Sequence, residues 1–432
     1  MTSFAMIIAP PLWPKLPLPG VAFILEQLKK NSIPAYLFDI NIDIYNMVKK
    51  DKSIKEKWTR QYQNFTEGFY EKTQKDHKVY FYKVHSFIKE KKITHAGFSI
   101  YKTNFLFSLS YARALKKMFP EIKIIFGGPH TAYLDKYNRN YFNSFSFIDH
   151  FIIGEGEIEL IDLIKGSSQK SRSIYSSQIS ILSHLPFPKY ELFDLHKYDR
   201  NHGLPLIASR GCHNNCSFCF EKIQFPEYYT RDANEILEEI RYHIKNNNIQ
   251  WFTFYDSLFN GNLSNIEKLL KLLLQKKIKI IWDAQISIRK DMPDRLFELM
   301  KKSGCINLFI GLETGSSFLL KQMKKNFKTE DAPGFISRLK ENDLNFELSL
   351  ILNYPFETDD DFHATMDLIK RNKAFINKLA QVNPFIYYPG TGTDITKGYN
   401  FSEGMRRVTL FTRFLQDEGF KFTNAYINNL TA

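Results

Sequence analysis

The chain has 432 residues, 44 % of them hydrophobic, which is too many for one ordinary core and enough for two or three. Its 59 basic and 46 acidic residues leave a formal charge of +13, but the lysines are scattered and no RNA-binding signature accompanies them, so a nucleic acid is not the expected partner. Four cysteines are too few for a secreted disulfide scaffold, the proline-broken N-terminus lacks a signal peptide's basic start, and no stretch approaches the roughly 20 apolar residues of a bilayer span, so a reducing cytoplasm is the expected location.

Short apolar runs at 4–9, 35–40, 95–100, 123–128 and 150–157 read as strands, and 20–31 and the stretch ending near Met118 as helices. The runs do not alternate polar with apolar, which is the pattern of parallel strands covered on both faces. Residues 1–165 are therefore read as a doubly wound α/β domain with its ligand crevice at the carboxyl ends of the strands. Residues 44–92, rich in charge and aromatics, read as a solvated helical insertion, and the Ser-rich 166–200 as a linker. The βα pattern then restarts, with strands at 205–209, 250–256, 279–286, 306–313, 346–352 and 380–388 and helices between them. About six repeats of one hand predict a partial (β/α)6 barrel of the TIM type over 201–390, with its chemistry at the carboxyl ends of the strands. Residues 391–432 are read as a small α-rich C-terminal cap with a helix at 405–417.

Gly211-Cys212-His213-Asn214-Asn215-Cys216-Ser217-Phe218-Cys219 follows the first of these barrel strands. Three thiolates on so short a loop can wrap one compact iron–sulfur cluster. A [4Fe–4S] cluster takes four ligands, so one iron stays open to a small molecule, like the open position of a catalytic metal site. A zinc site would prefer paired Cys-x-x-Cys units or histidine at finger spacing, and free buried cysteines are the remaining reading. Cys305, isolated at a strand start, reads as a core residue rather than a fourth ligand.

Cys212-x3-Cys216-x2-Cys219, with aromatic Phe218 before the last cysteine, resembles the signature of the radical S-adenosylmethionine superfamily. Gly311-Leu312-Glu313-Thr314-Gly315-Ser316 resembles that family's segment after the fourth barrel strand, and Pro389-Gly390-Thr391 the one after the sixth. Asn353-Tyr354-Pro355-Phe356-Glu357-Thr358 is similar to its Gly-x-Pro-Gly-Glu-Thr, altered at both glycines. The resemblance implies a [4Fe–4S] cluster and S-adenosylmethionine as cofactors. It also implies reductive cleavage to a 5′-deoxyadenosyl radical, and hydrogen abstraction from a small-molecule or peptide substrate. An electron donor such as flavodoxin or ferredoxin would serve the cluster. Glu313 and Phe218 would contact S-adenosylmethionine, and Asp256 and Gln285, at comparable strand ends, face the same ligand or are hydrogen-bonded rim residues.

Upstream, Gly127-Gly128-Pro129-His130, Gly154-Glu155-Gly156-Glu157, Pro10-Pro11, Asp39-x-Asn41 and Leu185-Pro186-x-Pro188 resemble the branch of the superfamily with an N-terminal cobalamin-binding-type domain. That likeness implies cobalamin near Ser99, Gly127, Gly128 and Gly154, without a coordinating histidine, because Asp-x-His-x-x-Gly is absent after the first strand. Methyl transfer to carbon follows if cobalamin binds. Dehydration, epimerisation, cyclisation or rearrangement follows if the domain is degenerate, and a cluster scaffold or redox sensor is the non-catalytic alternative.

Overall fold

A computed structural model describes residues 2–51, 58, 68–166, 172–175, 182, 185–200, 202–376, 378–395 and 400–422. It divides into two compact units, Met1–Pro205 and Leu206–Ala432.

The first unit is a parallel sheet of β1 (Phe4–Ile8), β2 (Ala35–Asp39), β3 (His95–Ser99), β4 (Lys123–Gly127), β5 (His150–Ile153) and β6 (Ser173–Tyr175), in the order β2-β1-β3-β4-β5-β6. The order reverses between β1 and β3, which opens a crevice at their carboxyl ends. Every residue of β1 is buried, as its unbroken apolar run requires. Strand β5 stops at Ile153, short of the expected 157, because Gly154 turns the backbone to φ +94°. Helices α1 (Pro19–Lys30) and α2 (Ile40–Val48) flank the sheet; Asp39 caps α2 by accepting from the Ile42 amide at 2.9 Å.

Within the expected insertion, α3 (Phe69–Asp76) and α4 (Lys78–Glu90) are described, while 52–57 and 59–67 lie outside the described residues. These helices are not merely solvated. Tyr70 and Phe81 pack edge-on to each other and against Phe107 and Tyr111 of α5 (Phe105–Met118), so the insertion buries an aromatic face. Helices α6 (Pro129–Asn138) and α7 (Glu159–Lys165) follow β4 and β5. The described part of 166–200 belongs to this unit: the Tyr45 hydroxyl donates to Asp199 at 2.8 Å, and Tyr198 donates to Asp39.

The second sheet takes β7 (Gly203–Leu206), β10 (Trp251–Phe254), β11 (Ile281–Ile286), β12 (Cys305–Glu313), β13 (Phe346–Leu352) and β14 (Lys378–Pro384) in chain order. From β10 to β14 each strand pairs parallel with the next, and β7 and β14 stand at opposite ends of the sheet, the arrangement of an incomplete barrel. A two-residue ladder of β8 (Ser209–Arg210) and β9 (Tyr229–Thr230) lies beside it. The first strand ends at Leu206 rather than 209 because its partner changes there. The Leu206 carbonyl accepts from Tyr255, but Ile207 and Ala208 give theirs to Arg231. Helices α8 (Glu221–Gln224), α9 (Ala233–Asn247), α10 (Leu263–Gln275), α11 (Asp294–Lys302), α12 (Ser317–Gln322), α13 (Asp331–Glu341) and α14 (Asp359–Arg371) connect the strands.

The C-terminal helix α15 (Phe401–Asp417) starts earlier than the expected 405, capped by Asn400, and packs on β13 and β14. Residues 396–399 and 423–432 of the expected cap lie outside the described residues. No described helix is long and apolar enough to cross a membrane.

Candidate active site

The cysteine loop leaves β8 through Gly211, whose φ of +75° and contact with the Glu227 carbonyl admit no side chain; a Cβ there would stand 1.9 Å from that oxygen. Ser217, buried between two of the cysteines, anchors the loop. Its amide donates to the Met323 carbonyl at 3.0 Å, and its hydroxyl reaches the Gln322 carbonyl at 3.0 Å and the Tyr354 hydroxyl at 2.8 Å. The Asn214 amide points at the Cys212 sulfur, 3.4 Å away, and Cys219 donates its amide to the Cys216 carbonyl.

Desolvation raises all three thiols, and that of Cys219, although the residue is the most exposed of the three, is pushed up to about 11. Each also feels another of the three: Cys212 feels Cys219, Cys216 feels Cys212, and Cys219 feels Cys216. They form one electrostatic group. Among the described residues, no three His, Cys, Asp or Glu side chains converge as they would on a single metal ion. Three soft thiolates on one short loop suit a cluster.

His213 is turned away, its ring 4.0 Å from that of Tyr228. Cys305 is buried at the start of β12, where its thiol points at the Asn307 carbonyl. Glu313 ends the same strand, about 26 Å further along at a strand's rise per residue. Cys305 therefore cannot be a fourth ligand.

Glu313 occupies a strained place. A register shift between Gly311 and Glu313 interrupts the pairing of β12 with β13, and Glu313 itself has φ +68°. Its carboxylate folds back over Gly311, where a Cβ would come 2.3 Å from Oε1. Lys325 meets it: Nζ lies 3.0 Å from Glu313 Oε1 and 3.0 Å from the Gly311 carbonyl, with the two side chains 7 % and 9 % exposed. Burial works against the lysine's charge, but Glu313 and then Cys216 outweigh it and hold the amine above the ordinary lysine range. The ammonium also stands over the rings of Phe218, at 6.0 Å, and Phe327, at 5.4 Å. Phe218 is half-buried and meets Tyr354 edge-on.

Asp256 is buried just past the end of β10. It accepts from the Ser209 hydroxyl at 2.5 Å and the Ala208 amide at 3.2 Å, and burial lifts its carboxyl to about 7. It thereby pins the segment that leads into the cysteine loop. Gln285 is exposed on β11, in register with Phe309. With Asp256, Tyr255, Asp283 and Asn307 these two line a cleft of about 360 Å³ on the inner face of the sheet.

Sequence reasoning missed Lys325, Ser217 and Asp283. In the segment altered from Gly-x-Pro-Gly-Glu-Thr, the two replaced glycines, Asn353 and Phe356, still adopt φ +57° and +81°. The turn is kept although the residues best suited to it are gone.

In the first unit, Ser99, Gly127, Gly128 and Gly154 stand at the carboxyl ends of β3, β4 and β5. Gly128, at φ +103°, is needed for close packing: a Cβ would lie 2.9 Å from the Ile100 carbonyl oxygen and 3.3 Å from Ser99 Oγ. Gly127 has more room, with its nearest neighbours at 3.9–4.0 Å. The segment after β1 is buried by its own contacts. The Leu12 amide donates to Asn41 and its carbonyl accepts from Trp58, so no histidine is presented there. His130 packs against Phe105 and Tyr133, and burial lowers its pKa to about 4. A flat cofactor at these strand ends would meet small residues and backbone.

Residues 206–369 match the model of the radical SAM superfamily. Among its relatives are an uncharacterized methyltransferase of Pyrococcus horikoshii, 24 % identical over 301 residues, and the bacteriochlorophyllide d C-12(1)-methyltransferase of Chlorobaculum tepidum, 26 % identical over 249. These alignments cover 65 % and 55 % of this chain, which spans 64 % and 53 % of the relatives' own lengths.

Both units share their fold with solved radical enzymes. The radical S-adenosylmethionine methyltransferase TsrM from Kitasatospora setae, solved with tryptophan and a SAM analogue, superposes with a TM-score of 0.68 at 13 % identity, covering 91 % of this chain and 75 % of its own. The cobalamin-dependent radical enzyme OxsB, solved with aqua-cobalamin and S-adenosylmethionine, gives 0.65 at 16 % identity, covering 97 % and 56 %.

Proposed function

We propose that the chain cleaves S-adenosylmethionine reductively at a [4Fe–4S] cluster held by Cys212, Cys216 and Cys219, and transfers a methyl group to carbon of a small-molecule or peptide substrate with cobalamin as carrier. The observation that carries this reading is the grouping of three mutually interacting thiols beside Glu313 and Lys325. Cys212, Cys216 and Cys219 would hold the cluster, which would supply the one-electron reduction that cleaves S-adenosylmethionine and leads to hydrogen abstraction from the substrate. Cobalamin, if bound, would carry a methyl group donated by a second S-adenosylmethionine.

The chain's own residues bind and orient. The three thiols release their protons on loading. Ser217 and Asp256 fix the two ends of the loop that carries them. Glu313 offers a carboxylate to the amino group of S-adenosylmethionine, and Phe218 covers the loop on the Tyr354 side. The inner cleft, lined by Gln285, Asp283 and Asn307, gives hydrogen bonds to whatever polar molecule enters. Ser99, Gly127, Gly128 and Gly154 would border cobalamin. The methyltransferase names of the relatives support the transfer. A sensor would need no second ligand site, so the Glu313 segment counts against one. A flavodoxin- or ferredoxin-like protein is the proposed reductant.

Anaerobic reconstitution with iron and sulfide, followed by dithionite and S-adenosylmethionine, tests the first half. The intact chain is expected to release 5′-deoxyadenosine and Cys216→Ala to release none; equal yields from the two would overturn the reading. Incubation with hydroxocobalamin and desalting tests the second half. Corrinoid absorption retained at one per chain supports methyl transfer, and its loss leaves a radical enzyme without cobalamin.

A further inference from the structure

Lys325 lies outside the short motifs singled out in the sequence, yet its ammonium is buried within reach of the cysteine loop. It is fixed from four sides: by Glu313 Oε1 and the Gly311 carbonyl, each at 3.0 Å, and by the rings of Phe218 and Phe327. The Met323 carbonyl, two residues before it, receives the Ser217 amide, so the backbone that carries Lys325 is tied to the loop that carries the thiols. Its charge acts on Cys216 and Cys219, and that of Glu313 acts on Cys216 with the opposite sign. Both side chains are more than nine-tenths buried, so neither field is screened as it would be at the surface.

We propose that Lys325 is a positioning residue that sets the reduction potential of the cluster and holds Glu313 in its folded-back place. Adding an electron to a cluster on three thiolates adds negative charge, and a fixed cation nearby favours that addition. Glu313 opposes it. The pair is therefore a fixed dipole beside the cysteine loop, with the ammonium supplying the favourable half. Gly311 belongs to the same device, because only a residue without a side chain leaves room for the Glu313 carboxylate to reach the lysine.

This inference rests on the cluster reading above, and its test separates the two. The protein is reconstituted anaerobically as the full chain, its iron and sulfide are assayed, and the cluster is titrated potentiometrically with dithionite, followed by electron paramagnetic resonance, without S-adenosylmethionine. Lys325→Met is expected to load iron and titrate at a more negative potential than the native chain. Lys325→Arg should return most of the shift. Glu313→Gln, which removes the opposing charge and keeps the shape, should move the potential the other way. A loaded Lys325→Met that titrates with the native chain overturns the proposal, and so do shifts of the same sign in Lys325→Met and Glu313→Gln. Should Lys325→Met fail to fold, the sign in Glu313→Gln alone decides. A native chain that binds no iron and sulfide refutes the cluster reading instead.

Discussion

Asp256 is a carboxylate in a place that does not favour its charge, and that has a measurable result. Burial raises its folded pKa to about 7, against 3.8 for the unfolded chain. Its stabilising effect is therefore complete below about pH 4 and is lost as the pH rises through 7. Asp256→Asn removes that loss, so between pH 5 and pH 8 the variant should lose about 2 kcal/mol less stability than the native chain. Urea unfolding at the two pH values checks this; parallel curves would contradict it.

The residue scale is also where the sequence was least legible. The cysteines and Glu313 stood out because their neighbours form recognisable strings. Lys325 did not, since it meets Glu313 only after β12 has ended, α12 has run its course and the chain has turned back. Nor could the sequence say that Asp256 serves Ser209, which lies 47 residues away.

At the level of elements, the strands were legible because buried parallel strands leave unbroken apolar runs. Their ends were not, because backbone events set them: the turn at Gly154, and the change of partner after Leu206. Gly128→Ala tests one such event. Its Cβ would press on the Ile100 backbone at positive φ, so a loss of roughly 1–3 kcal/mol is expected in thermal unfolding, whether or not cobalamin binds.

The attachment of α15 was equally hidden. Arg407, buried on that helix, donates to Glu357 at 3.1 Å, to the Thr358 carbonyl at 3.0 Å and to Asp359 at 2.9 Å. The Glu357 side chain is fully buried, so Arg407→Met leaves it without a cation and with the Asn353 amide as its remaining hydrogen bond, and should cost about 3 kcal/mol. Thr358→Ala removes only the capping box of α14, at about 1 kcal/mol. Denaturant melts that rank the two in the reverse order would show that the helix is not held in this way.

For the whole molecule, two units with separate sheets imply two loading events that can be told apart. A cluster that binds only the folded chain stabilises it, so reconstitution should raise the unfolding temperature of the native protein and leave that of Cys216→Ala unchanged. Cys216→Ala should nevertheless retain corrinoid as the native chain does, because the proposed cobalamin residues all lie before 205. Loss of both ligands in the one variant would argue against independent sites. The division at 205/206 was only partly readable. Composition marked 166–200 as a linker, whereas the Tyr198 and Asp199 contacts that bind its end to β2 and α2 join residues more than 150 apart.

The crowding at Gly311 has a historical side. A methyl group at that position would collide with the Glu313 carboxylate, so the three positions 311, 313 and 325 are not free to drift one at a time. Among descendants of this chain, an alanine at 311 should be found only where 313 has already shortened, and a neutral residue at 325 only where 313 has given up its acid. The order in which such replacements accumulate is thereby constrained, and reconstructed ancestors carrying the disfavoured combinations should fold but lose the contact between the Glu313 carboxylate and position 325.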